Sequence, residues 1–302
     1  MALTTLRQLI NKLFIIDKWN IGYVYQTPEC LISSRKIANK VHWLPECTAD
    51  YAADPFAVPV NDKLYLYYEE LRFWKGKGTI MMTDGLSFIN KKQVNGLPGD
   101  LHLSYPFLFI EDGVLYCIPE TAKAREIALY RAASDQMGNF TKVSVLAQGK
   151  AFVDSSLIFY QNKYWLFSSI SGSYGELYIF YADKLTGTFK AHGQNPIKVP
   201  DNISRSAGTL FISDGKLYRP TQNPQNNYGG SVTISEITEL DEKNFSYKIV
   251  MEVGPVAPYE HGLHTLNFAG HFLIIDGKRQ QFSLINPAKK IIRKLQRPRK
   301  TC

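Results

Sequence analysis

Cysteine is scarce in this 302-residue sequence: Cys30, Cys47, Cys117 and Cys302 stand far apart, and none sits at metal-binding spacing from another Cys or a His. That pattern argues against a zinc module or a disulfide framework, and a reduced, cytosolic chain is expected. No apolar run is long enough to span a bilayer; the first twenty residues are interrupted by Arg7, Asn11, Lys12 and Asp17. They also lack the basic start, continuous apolar core and small-residue cleavage site of a secretory signal. A Walker loop and a nucleophile elbow are missing as well, which removes the commonest nucleotide-hydrolysing and serine-hydrolase readings.

Acidic residues are missing from one place in particular. Between Lys289 and Lys300 the tail carries Lys289, Lys290, Arg293, Lys294, Arg297, Arg299 and Lys300 with no Asp or Glu. The formal charge of +8 is therefore a property of the tail, because the remainder holds 28 basic against 27 acidic residues. A nearly neutral body gives no phosphate-tracking groove, so nucleic acid is not expected as a partner. The tail, with Ile291, Ile292 and Leu295 on one helical side, suits an anionic membrane surface, each basic residue contributing about 1 kcal/mol there. A solvated end is the other reading. At the opposite terminus Leu3, Leu6, Leu9, Ile10, Leu13 and Phe14 form one face of an expected helix over residues 1–19, for packing on the body or for docking elsewhere.

What is abundant is repetition. A small or polar opening, an apolar run, a turn and a second apolar-aromatic run recur as DPFAVPVNDKLYLYYEE, YPFLFIEDGVLYCIPE, DSSLIFYQNKYWLFSS, AGTLFISDGKLYRPTQ and HTLNFAGHFLIIDG. Matched positions advance by about fifty residues: Pro55 to Pro106 is 51, and Leu217 to Phe272 is 55. A third alternating strand follows in each unit, and Asn61-Asp62, Asp112-Gly113, Asp214-Gly215 and Ala269-Gly270 supply hairpin turns. Short strands at this period predict an all-β, five-bladed β-propeller over residues 20–286, with the helix before it and the basic tail, 287–302, after it.

In a propeller the first strand of each blade lines the central channel, so the five openings converge. Asp54, Tyr105, Asp154, Arg205 with Ser206, and His261 with His264 are expected around one funnel. The second-strand ends add Glu69, Glu70, Glu120 and Gln222. Carboxylates crowded in a partly desolvated funnel raise each other's pKa, the signature of acid–base chemistry.

The motifs ADPF and FVDSS resemble the five-bladed propeller glycosidases, such as glycoside hydrolase families 43, 32 and 130. That resemblance implies Asp54 as base or nucleophile, Asp154 as pKa modulator and His264 or His261 as the fifth-blade group. A wider set, ADPF, HLSYPFLF with His102, IPE, YADKLTGTF, RSAG, LYRPTQ, YGGSV and HGLHTLN, is similar to the N-terminal propeller of plant glucosamine inositolphosphorylceramide transferases. The same set also resembles stand-alone bacterial relatives associated with surface polysaccharides.

SRSAG departs from the glycosidase pattern by placing Arg205 where the acid Glu of a family 43 enzyme would come. A phosphate leaving group needs little protonation and can be neutralised by Arg205, with Arg219 as a second contact. The favoured expectation is thus a glycosyltransferase using a sugar-phosphate or nucleotide-sugar donor and a glycan or lipid-linked acceptor in surface polysaccharide assembly, beside the inner face of the membrane. Asp54 or Glu120 would be the base, and Glu120 could instead be a displaced acid. A glycoside hydrolase or phosphorylase is the alternative, and a non-catalytic glycan-binding propeller the third. Tyr228, in NNYGGS, is either a lid over the funnel or part of a plain surface loop. Trp43, Trp74 and Trp165 are either sugar platforms or core. No metal or cofactor is expected from any ligand spacing.

Overall fold

The structure, a computed structural model, describes residues 13–288 apart from 48, 50, 73–75, 135 and 226. Five antiparallel sheets follow one another around an axis. Blade 1 comprises Tyr51–Val60, Lys63–Leu71, Gly78–Asp84 and Lys92–Gln93; blade 2 comprises Ser104–Glu111, Val114–Glu120, Glu126–Ala133 and Gln136–Gln148. Blade 3 runs from Phe152–Tyr160 through Lys163–Ile170 and Glu176–Ala182 to Lys190–Ala191, with Ile197–Lys198 also paired to its third strand. Blade 4 is Phe211–Ser213, Lys216–Asn223, Ser231–Leu240 and Phe245–Val253.

The fifth blade is closed by the two ends of the chain. Its inner strands are Leu266–Ala269 and Phe272–Phe282, while its outer strands are Ile15–Tyr25 and His42–Trp43. Ile15 pairs with Phe282 and Tyr25 with Phe272 in an unbroken eleven-residue register. The expected helix over residues 1–19 is therefore corrected from Ile15 onward, where the segment is strand; residues 1–12 lie outside the described set. Residues 15–20 have a pairing partner more than 250 positions away, and that partner decides their conformation over their local periodicity.

Four of the inner hairpins turn on two successive positive-φ residues: Asn61-Asp62, Asp112-Gly113, Gln161-Asn162 and Asp214-Gly215. These match the type I′ geometry that suits the twist of paired strands. The fifth loop is Gly270-His271, one residue beyond the expected pair, with only Gly270 at positive φ.

Apolar faces of adjacent blades fill the spaces between them. Trp165 and Phe167 pack with Leu217 and Phe245 between blades 3 and 4, and Phe56, Phe107 and Leu166 belong to the core that spans blades 1 to 3. Trp165 is thus core, and Trp43 packs on Tyr259 with ring centroids 4.3 Å apart, so neither is a sugar platform. Trp74 lies outside the described residues. Among those residues no helix is long and apolar enough to cross a membrane.

Candidate active site

Three blades open on the same backbone irregularity. Asp54, Tyr105 and Asp154 have φ of 51°, 42° and 46°, each at a register shift in the inner strand. A bulge of this kind re-aims a side chain, and left-handed backbone at a non-glycine residue costs on the order of 1–2 kcal/mol. Strain repeated in three blades marks the funnel as the place where the fold gives up stability for geometry.

The carboxyl cluster is assembled from these openings and from second-strand ends. Asp154 is buried; Gln222 Nε2 donates to its Oδ2 at 2.7 Å, and Arg205 Nε donates to the same oxygen. Arg205 also lies 3.6 Å from Glu120 Oε2. Burial opposes ionisation of Asp154, yet Arg205 and a hydrogen bond from Glu120 hold it below the ordinary Asp value. Glu120 goes the other way: burial first, and ionised Asp154 next, push it well above the ordinary Glu value. Its Oε2 is buried without a hydrogen-bond partner. Two neighbouring carboxyl groups with pKa values driven apart are the arrangement that yields a neutral acid beside a fixed anion.

Asp54 forms the second centre. Its Oδ1 accepts from Thr265 Oγ1 at 2.8 Å and its Oδ2 from the Tyr105 N–H at 3.2 Å. Burial raises its pKa to about 6, with His264 working against the shift and Asp154 and Asp276 adding to it. His264 lies with Nε2 3.7 Å from Asp54 Oδ1 and Nδ1 2.5 Å from Asp276 Oδ2. Burial disfavours its charge, but Asp276 and Asp54 together raise its pKa above the usual histidine value. Glu69 is also held well above the ordinary Glu value, first by burial and then by Asp54 and Glu120; Tyr51 reaches it at 3.4 Å and His102 Nε2 at 3.5 Å.

Sequence reasoning missed Asp276 and Trp19. Asp276 is fully buried and accepts the main-chain N–H groups of His264, Thr265 and Asp54 at 2.9, 3.0 and 3.2 Å. It ends the apolar run LII in the fifth repeat, the same place that yields Glu69, Glu120 and Gln222 in blades 1, 2 and 4. Trp19, in the strand Ile15–Tyr25, stacks on His264 with ring centroids 4.1 Å apart. Asp54, His264 and Asp276 offer ligand atoms within 4.8 Å of one another. Because Asp276 already accepts three main-chain hydrogen bonds, the trio reads as a histidine held between two carboxyl groups rather than a preformed cation cage.

Tyr228 sits above both centres, its ring 5.6 Å from that of His264 and 5.7 Å from the Arg205 guanidinium. The turn beneath it requires glycine: Gly229 has φ +63°, and a Cβ there would lie 2.8 Å from Trp19 and 2.9 Å from His264. The ring thus lies against the funnel residues His264 and Arg205.

Four expected site residues are employed elsewhere. Tyr105 is fully buried; its hydroxyl bonds Ser156 Oγ at 2.8 Å and accepts the Gly208 N–H at 2.7 Å, plugging the axis across three blades. Gly208 must be glycine for this approach, since a Cβ would stand 2.1 Å from the Leu266 carbonyl. Arg219 donates to the Ile203 and Ser204 carbonyls at 2.6 and 2.8 Å and to Ser206 Oγ at 3.2 Å, so its guanidinium pins the helical turn Asp201–Ser204 and is not free for phosphate. Glu70 pairs with Arg72 and Lys91 on the face of its strand opposite Glu69. His261 is exposed and bonds to Lys278 through its main chain. Tyr105→Phe is expected to lower unfolding free energy by about 1–3 kcal/mol, by stranding the Gly208 N–H. A denaturant titration checks it, and unchanged stability would refute the plug.

The family model described as glucosamine inositolphosphorylceramide transferase 1, N-terminal, matches residues 38–258. Over 206 residues the chain is 34% identical to glucosamine inositolphosphorylceramide transferase 1 of Oryza sativa subsp. japonica and 30% identical to that of Arabidopsis thaliana. Each alignment covers 65% of this chain and 27% of the relative, so the chain spans about a quarter of the length of those proteins. Among solved structures, an α-L-arabinofuranosidase from Podospora anserina in complex with cellotriose superposes with a TM-score of 0.57 at 10% identity, covering 76% of this chain and 90% of that one. That likeness shows the propeller fold alone. The sequence match over most of the propeller goes further: this chain belongs to the glucosamine inositolphosphorylceramide transferase 1 N-terminal family.

Proposed function

We propose that the chain is a carbohydrate-active enzyme that makes or breaks a glycosidic bond, with Glu120 as proton donor, Asp54 as base and Asp154 as the anion that keeps Glu120 protonated. The observation that carries this reading is the buried cluster in which Arg205 and Gln222 hold Asp154 while Glu120 lies beside them, an arrangement that lowers the Asp154 pKa and raises that of Glu120. A sugar alkoxide leaves only if protonated as the bond breaks, and a buried neutral carboxylic acid supplies that proton. Asp54 then takes a proton from the incoming hydroxyl. Water as that hydroxyl gives hydrolysis; a sugar or lipid-linked hydroxyl gives transfer, the direction favoured by the name of the sequence relatives.

Transfer from a phosphate-activated donor is the second reading, supported by the Arg205 guanidinium beside Glu120. Its ion pair with Asp154 and the internal use of Arg219 leave little unshared positive charge for a phosphate, so an acid-assisted mechanism fits the geometry better. A non-catalytic glycan-binding propeller would have no use for a proton split between two buried carboxyls.

Aryl glycosides, and nucleotide sugars with and without acceptors, distinguish these readings. Turnover of a glycoside that is lost in Asp54→Asn supports the proposal. Turnover confined to phosphate donors and indifferent to Glu120→Gln favours the second reading; glycan binding without turnover on any substrate contradicts both. The pH profile is a further prediction. Asp54 is a base only when deprotonated, so kcat/KM should fall as pH drops through about 6. Glu120 is an acid only when protonated, so the same parameter should fall again on the alkaline side, giving a bell. A profile flat across pH 5 to 7 would contradict Asp54 in this role.

A further inference from the structure

The second strand of blades 1 to 4 stops within two residues of the partner of its opening residue, at Leu71, Glu120, Ile170 and Asn223. In blade 5 it does not. From Asp276, whose N–H bonds the Thr265 carbonyl, the strand continues to Phe282, paired throughout with Ile15–Ile21. This two-stranded ribbon flanks the site as far as Lys278, whose strand partner Trp19 stacks on His264. The residues from Arg279 to Phe282, at about 3.3 Å each, carry it about 13 Å further on the funnel side of the propeller.

The ribbon is braced. Arg279 donates to both oxygens of Glu46, at 2.8 and 3.0 Å; Tyr259 donates to Glu46 at 2.8 Å and Lys18 lies 3.5 Å away. At the tip Phe14 stacks on Phe282 at 5.4 Å, Ser283 N–H bonds the Phe14 carbonyl, and Asn286 Nδ2 caps the Leu13 and Ile15 carbonyls. Yet this fixed tip presents apolar side chains outward: Leu284 is 76% exposed, Ile285 60% and Phe282 55%. Three large apolar groups held in solvent on a braced ribbon mark an interaction surface.

Charge identifies the occupant. The chain leaving this tip carries seven Lys and Arg and no acid between residues 289 and 300. At the other strand of the same tip, residues 1–12 include Leu3, Leu6, Leu9 and Ile10. An apolar tip followed in sequence by unbalanced positive charge matches the interface of an anionic bilayer, where apolar groups insert and basic groups meet headgroups. We infer that the tip of the fifth-blade ribbon docks on an anionic membrane, so that the funnel opens toward the lipid surface. Resting on the glycosidic reading above, this orientation puts the funnel beside the lipid-linked hydroxyl considered there as acceptor.

Flotation of the full chain with phosphatidylcholine vesicles, with and without phosphatidylglycerol, tests the inference. Binding is expected only to the anionic vesicles and should weaken with salt. Leu284→Glu with Ile285→Glu, both exposed and so harmless to folding, should reduce it at least about tenfold, given the apolar area withdrawn. Ile212→Glu, exposed at an inner hairpin on the opposite face, should leave it unchanged. No binding to anionic vesicles, equal binding by the double variant, or equal loss in Ile212→Glu would overturn the orientation. Turnover of a soluble glycoside should be intact in the double variant, so failure of docking and failure of the glycosidic reading appear in different assays.

Discussion

Glu120→Gln should remove about 10²–10⁴-fold of kcat on a glycoside with an ordinary alcohol leaving group while leaving the melting temperature near that of the parent. Glutamine preserves the shape and a donor N–H beside Asp154, but has no proton to give. The same variant should keep most of its rate on an aryl glycoside whose phenolate leaves unaided. That contrast separates a proton donor from a residue that merely supports the funnel, because a structural role would depress both substrates alike. Equal loss on both would place Glu120 in packing; no loss on either would place the acid elsewhere. Asp154→Asn should mimic the defect by a different route. Without the anion, and with Arg205 left unpaired beside it, Glu120 should ionise more readily and the alkaline limb of the pH profile should move to lower pH.

Asp276→Ala should produce the largest loss of stability. The substitution strands three main-chain N–H groups and withdraws the partner of His264 in a region with no water-exposed escape. Breaking a buried charge-paired unit costs about 3–5 kcal/mol. At about 2–4 °C per kcal/mol for a domain of this class, the melting temperature should fall by roughly 10 °C. Asp276→Asn, which keeps one acceptor oxygen, should lose less. The His264 imidazole resonances supply the second readout: its pKa should drop in either variant, since Asp276 leads the charges that raise it. A melting temperature within a degree or two of the parent, with unchanged His264 titration, would refute the buried unit.

Much of this architecture is legible in the sequence because a propeller repeats its local signals. Turn pairs such as Asp112-Gly113 and Asp214-Gly215 fix hairpins, and the Asp-Pro and Tyr-Pro openings fall where the bulges are. The closure of the fifth blade has no local signature. Ile15–Tyr25 finds its partner only at Phe272–Phe282, so the apolar spacing that begins at Leu3 is read through into residues that are strand. Site residues divide along a similar line. Asp54, Glu120, Asp154, Gln222 and His264 are recoverable from the repeat alignment, and Asp276 would have been too, had the second-strand end been followed into the fifth copy.

Tyr105 and Arg219 show the limit of that approach. Both sit at the right place in the repeat, but the Tyr105 hydroxyl is engaged by Ser156 and Gly208 and the Arg219 guanidinium by the Ile203 and Ser204 carbonyls, contacts that spacing does not reveal. Glu70 illustrates a simpler lesson. Adjacent strand residues face opposite sides, so Glu69 and Glu70 could never both enter the funnel. Arg205 changes meaning most. In the sequence it stands alone where an acid is wanted; in the fold it secures Asp154 as an anion, and that anion keeps Glu120 an acid.

The protonation state of Glu120 is the centre of the account, and carbon-13 labelling of the glutamate side-chain carboxyls reads it directly. With Glu120 assigned by its disappearance in Glu120→Gln, its signal should remain that of a neutral carboxylic acid at pH 6, well above the ordinary Glu value of about 4.3. A signal that titrates in the ordinary carboxylate range, fully ionised by pH 6, would contradict the assignment of Glu120 as proton donor.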